Sequence, residues 1–264
     1  MLNIAAITLK GIFRDRVLQG IIVLGAMIFF IPTVASLSMR QVTELSITLS
    51  LSLISFVMLL LSVFLGATSI WKDLERRYTF SALSLPVSRS AYIAGKFCGI
   101  SLFLLLSSLI LGIITLMAVK FAITIYPPAR PVAWGILMTA ILFDALKYIL
   151  LVAVSMLLST VSTSFFLPVF GTISIFLVGT ITQQVNDYLH TPVAQKTVSV
   201  VVMKAATALY YLLPNLDSFD LKLNAIYALQ LNYGGLAITA IYFVVYTGAL
   251  LACAALIFGR REMK

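Results

Sequence analysis

"WKDLERRYTFSALSLPVSRSAYIAGKF", residues 71–97, is a charged stretch set between two apolar runs. It holds Lys72, Asp73, Glu75, Arg76, Arg77, Arg89 and Lys96 in a chain of 264 residues that is only 10% charged and 61% hydrophobic. Soluble domains carry roughly 25% charged and 45–50% apolar residues, so the composition excludes that class. Hydrocarbon about 30 Å thick demands about 20 mostly apolar residues of each helix that crosses it. Six stretches qualify, at about 17–36, 47–70, 97–119, 132–158, 165–182 and 235–258. The period-two alternation of membrane β-strands is absent. The sequence therefore predicts an all-α membrane protein with six transmembrane helices in one domain, 1–264.

The formal net charge of +9 raises the question of nucleic acid, but the placement of the charges answers it. Lys10, Arg14, Arg16, Lys72, Arg76, Arg77, Arg89, Lys96, Arg260, Arg261 and Lys264 fall in short segments on one side of the six runs. Arg40, Lys120, Arg130, Lys196, Lys204 and Lys222 are spread over longer segments on the other. Such a bias sets both termini and the 71–97 stretch in the cytosol. The basic excess then reflects topology in a cell membrane, with lipid and not nucleic acid as the partner. The first apolar run has no A-x-A-like cleavage site and reads as a retained helix.

Two segments outside the spans are helix-prone. In residues 1–16, Leu2, Ala5, Leu9, Ile12 and Phe13 share a face, with Asn3, Lys10, Arg14 and Asp15 turned away, an amphipathic interfacial helix. It serves as a lipid anchor or also contacts a partner. Residues 198–214 are apolar but short, carry Lys204 and end at Pro214. They read as a re-entrant or interfacial outer segment between the fifth and sixth spans, with Tyr210 and Tyr211 at headgroup depth.

In the second span Thr48, Ser52, Ser55, Ser62, Gly66 and Ser69 recur on one helix face. Small residues let helices approach closely, so the stripe predicts packing; the alternative is a lining for the path of a moderately polar substrate. Gly95 and Gly99 in "GKFCG" point to close packing at the start of the third span. Asp144 and Lys147, at i and i+3 within the fourth span, can neutralise one another. A buried ionisable pair is a candidate functional element, and a self-satisfying structural pair is the other reading. His190, the single histidine, has no second ligand at metal spacing, and Cys98 and Cys253 form no disulfide framework. The sequence contains no G-x-x-x-x-G-K-[ST].

The opening stretch reads as a helix from Lys72 to Leu85, stopped by Pro86, with Ser88 or Ser90 capping a following helix that runs into the third span. Leu74, Tyr78, Ala82 and Leu85 share a face, flanked by Phe80 and Leu83, while Asp73 and Glu75 suit an N-terminal end. A helix mixing acids, bases and aromatics suits docking into a protein groove, and its fusion to two spans makes it a lever.

These residues resemble the signature loop of ABC-2-type transporter permeases, the membrane subunits of ATP-driven exporters. Thr79, Leu83, Ser84, Pro86, Ser88, Arg89, Tyr92, Gly95 and Lys96 match that family's pattern; Tyr78 replaces its usual glycine and Arg77 a common acid. "YYLLPNLDSFDLK" before the last span and "FGRRE" near its end are similar too. The resemblance implies a coupling helix between spans two and three. A separate P-loop ATPase, bearing the ATP and Mg, would dock on Lys72, Asp73, Leu74, Glu75, Arg76, Arg77, Tyr78, Phe80, Leu83 and Arg89. It implies a second, identical or similar permease subunit, the inner membrane of a bacterium, and export of a lipidic or amphipathic substrate. This chain would be no enzyme and hold no cofactor. The rival is an ion-coupled secondary transporter, which predicts an internal repeat and broken helices with ionisable groups; one charge pair and no repeat are present.

Overall fold

A single helix, α6 (Trp134–Val161), runs through the middle of the bundle and is the most buried of the long helices. The computed structural model describes residues 2–14, 17–37, 41–75, 88–128, 131–192, 194 and 198–260. Among them every regular element is helical. In chain order α1 spans Leu2–Arg14, α2 Val17–Ile28, α3 Ile31–Ser36, α4 Val42–Glu75 and α5 Arg89–Ile125. After α6 come α7 (Phe166–Gly179), α8 (Thr182–Leu189), α9 (Val200–Leu212), a 3-10 turn at Asp217–Phe219, α10 (Lys222–Tyr227) and α11 (Tyr233–Arg260). Six helical stretches among the described residues are long and apolar enough to cross a membrane, as the composition predicts.

Their bounds differ from the hydropathy windows for physical reasons. The first is broken at Phe29 and Phe30, because Pro32 can neither donate to the carbonyl of Ile28 nor clear it. The second runs 34 residues and the third 37, about 51 and 56 Å at 1.5 Å per residue, well beyond the hydrocarbon. Polar residues end an apolar window without ending a helix. The fifth is α7 and α8 joined by a tight turn at 180–181, together Phe166–Leu189.

Local signals account for several ends. Ser88 Oγ accepts from the Ala91 N–H at 3.3 Å and caps α5, one of the two caps predicted. Ser162 turns the chain between α6 and α7 by accepting from Ser164 N at 3.0 Å, and Pro168 sits harmlessly in the first turn of α7. α9 is only 13 residues, about 20 Å, too short to cross. Its cap is Ser199, and it ends before Pro214.

α6 is enclosed by α4, α5, α7 and α11. Its contact with α4 is tight because small residues meet: a Cβ on Gly66 would lie 2.6 Å from Ser155 Cβ. Ser155 and Ser159 of α6 donate to the carbonyls of Val63 (3.3 Å) and Ala67 (3.0 Å). α1 lies along the start of α5, where a Cβ on Gly99 would meet Ala5 O at 2.8 Å and where Phe13 meets Phe103 edge-on. The inward stripe of α1 is Ile4, Ala5, Thr8, Leu9 and Ile12; Leu2, expected on that face, is 87% exposed.

Candidate functional site

The ends of α4 and α5 are locked together where the charged segment leaves one and enters the other. Asp73 in the last turn of α4 is ion-paired to Lys96 of α5, and Tyr92 donates its hydroxyl to Asp73 Oδ2. Lys96 also donates to the carbonyl of Ser69, and its ammonium lies 5.2 Å from the centroid of the Tyr92 ring. At 9% exposure Lys96 cannot rely on water, so these partners carry its charge. Tyr92 in turn stacks on Phe258 of α11, centroids 5.9 Å apart and planes 13° off parallel. Arg89 donates from Nη1 to the carbonyl oxygens of Phe258 (3.3 Å) and Gly259 (2.9 Å). Both carbonyls lie in the last described turn of α11, so Arg89 ties the start of α5 to that helix. Three long helices thus meet at one polar clamp.

The predicted coupling residues distribute as follows. Lys72 is exposed, and Leu74 and Glu75 close α4. Arg76, Arg77, Tyr78, Phe80 and Leu83 lie outside the described residues. The helix expected to begin at Lys72 does not begin there. With neither Gly nor Pro between Ile70 and Glu75, α4 continues through Asp73, whose carboxylate is held by Lys96 and Tyr92. Neither was predicted to bond Asp73, nor Arg89 to bond α11; the available signal was that Asp73 and Lys96 lie just outside two consecutive apolar windows.

The hydroxyl stripe divides. Ser55, Ser62 and Gly66 are buried, Gly66 against Ser155, whereas Ser52 is exposed and Thr48 and Ser69 are half-buried. Thr48, Ser62 and Ser69 donate to the carbonyls of Glu44, Leu59 and Gly66 in their own helix. Packing accounts for the buried members.

Asp144 and Lys147 form their ion pair at 2.6 Å, with Lys147 also 4.8 Å from the Tyr148 ring centroid. Ser55 Oγ of α4 donates to Asp144 Oδ2 at 2.8 Å, so both carboxylate oxygens are engaged. A cavity of about 10 Å³ separates Ser55 and Asp144 from Phe219, Asp220 and Lys222. The chain after α9 therefore returns into the bundle beside the pair. Leu216 and Phe219 are fully buried there, and Leu216 N donates to Gly179 O at 3.0 Å. A Cβ on Gly179 would lie 2.7 Å from Pro214 O, so only glycine allows this approach. Asn215 is held by Gln183 Oε1 (2.8 Å) and by Tyr242 Oη (3.0 Å), and Tyr246 donates to Leu212 O (2.9 Å). Partial burial, then the nearby Asp220 and Asp187, push the Asp217 carboxyl up; Lys147 pulls the other way.

Among the described residues no three His, Cys, Asp or Glu side chains group to hold a metal. The His190 ring bonds the carbonyl of Asn186 in its own helix turn, at 2.7 Å, and Cys98 and Cys253 are free and exposed. Residues 2–263 match the family model described as ABC-2 family transporter protein, nearly the whole chain. No curated protein matches it.

Proposed function

The chain belongs to the ABC-2 transporter family as a multi-pass membrane component, and from that premise we propose that it is the permease of an ATP-driven exporter. A separate P-loop ATPase docks on residues 72–90, which face the cytosol together with both termini. A second permease subunit completes the transporter, and the chain forms one domain. The observation that supports this most is the clamp of Asp73, Tyr92, Lys96 and Arg89. It fastens both ends of the 76–87 segment to α4, α5 and α11, so a push on that segment reaches three long helices as one rigid body.

The outer return segment, residues 213–222, is the exit gate of this transporter, and α9 lies in the outer leaflet or interface. A lipidic or amphipathic substrate suits the surface on offer. The exposed positions of α4 and α7 are mostly large apolar groups, among them Phe56, Leu60, Phe64, Phe166 and Phe170, with Ser52 and Ser174 as exposed hydroxyls. Ser52, with the half-buried Thr48 and Ser69, is open enough to line a path; Ser55 and Gly66 serve the contact with α6.

Replacing Lys72, Arg76 and Arg77 together by Glu tests the docking. Co-purification of the partner P-loop ATPase should be lost while the variant still inserts in the membrane. Undiminished co-purification and ATP hydrolysis would remove the 72–90 segment from the mechanism.

A further inference from the structure

We propose that the buried Asp144–Lys147 pair is the seat of the outer return segment: a positioning element that holds residues 213–222 in the bundle, so that the pair controls when the segment lifts. The proposal rests on the reading of that segment as the exit gate, but its physical content is independent of it.

An i, i+3 pair that merely neutralised itself would need nothing beyond its own helix. This pair has more. Ser55 ties Asp144 to α4, so the carboxylate is fixed from two helices. Lys147 spends one of its three N–H donors on Asp144 and stays within electrostatic reach of Asp217 and Asp220 in the return segment. Lys147 thus pairs with Asp144 and acts at longer range on Asp217 and Asp220, on the element that must move, where Lys222 supplies a second cation. Asp220 is itself oriented by accepting from the Lys222 backbone N–H at 3.0 Å. Apolar anchors flank the charges: Leu216 and Phe219 are fully buried and Ala225 of α10 is 2% exposed. Between the pair and the segment lies a small cavity lined by Ser55, Asp144, Phe219, Asp220 and Lys222. Asp220 is exposed and Asp217 half-buried, so the attraction acts through partly hydrated surroundings. Removing the Lys147 ammonium leaves Asp144 unpaired beside Asp217 and Asp220, with Lys222 alone to offset them, which favours lifting.

The test uses Ala225→Cys as a reporter in a Cys98→Ser/Cys253→Ser background, in the full transporter complex in lipid nanodiscs without nucleotide. Maleimide labelling of a buried cysteine reports local opening. Lys147→Met should raise the labelling rate about tenfold, and Lys147→Arg, which keeps the cation, should restore slow labelling. Ala67→Cys, buried at the other half of the α4–α6 contact, controls for general loosening and should label equally slowly in all three. An unchanged Ala225→Cys rate in Lys147→Met, or an equal rise at Ala67→Cys, would overturn the proposal. Because no transport is measured, failure of the gate reading shows elsewhere, as transport indifferent to a crosslinked return segment.

Discussion

Lys96, two turns into α5, is ion-paired to Asp73 in the last turn of α4, and the charged segment between them is thereby closed into a bracket. Lys96 is buried, so removing one partner strands a charge, at a cost of about 3–5 kcal/mol, against 0–1 for an exposed pair. Asp73→Asn, which strands the buried Lys96 ammonium, should therefore lower the thermal midpoint of the complex sharply. The double variant Asp73→Asn/Lys96→Met should recover much of the loss, since it leaves no unpaired buried ion. A double-mutant cycle by thermal unfolding in nanodiscs checks both; additive losses would show that the pair does not act as one.

Arg89 joins the bracket to the last helix through two carbonyls in the last described turn of α11. Arg89→Ala should cost about 1 kcal/mol of stability, the net scale of a hydrogen bond. Its larger effect should be on coupling: ATPase binding persists while substrate moved per ATP hydrolysed falls several-fold. Counting both in proteoliposomes separates a relay from a simple tie, which would change stability alone.

Gly66 is fixed by its neighbour. Gly66→Ala would place a Cβ 2.6 Å from Ser155 Cβ, and overpacking of this kind costs about 1–3 kcal/mol. Ser155→Gly in the same chain should return most of that stability, which thermal unfolding measures. A Gly66→Ala chain as stable as the parent would mean that α4 and α6 do not touch there.

Hydropathy and breakers made the helical class and six spans legible, along with the Ser88 cap and the excluded seventh crossing at α9. Helix ends were less so. The windows stop where charge begins, at Ile70 and Phe97, whereas α4 and α5 run on to Glu75 and back to Arg89 because a helix needs no lipid to persist. That difference hid the Asp73–Lys96 pair. Spacing put Ser55, Gly66 and Ser52 on one face, but a face does not name its neighbour: α6 covers the first two and not the third. Likewise nothing local tied Asp144 to Asp220, 76 positions on, since a return segment is placed by tertiary packing.

Asp217 supplies a pH dependence. Its carboxyl is raised from the ordinary 3.8 by burial, then by Asp220 and Asp187. The stabilising contribution is therefore present below 3.8 and lost as pH rises through the folded value, leaving a repelled carboxylate at neutral pH. Asp217→Asn should raise the thermal midpoint at pH 7 by the equivalent of less than about 1 kcal/mol, given its exposure. The advantage should shrink as pH falls toward 4. A gain that grows on acidification would contradict the assignment.

The proposed cytosolic placement of the bracket carries the whole account, and the reactivity of one position tests it. With Cys98 and Cys253 replaced by Ser, Lys72→Cys, exposed at the end of α4, should resist a membrane-impermeant maleimide in intact cells. In inverted vesicles it should label readily, and the bound ATPase subunit should protect it. Labelling from the outside of intact cells, or labelling in inverted vesicles unaffected by the ATPase, would contradict the account.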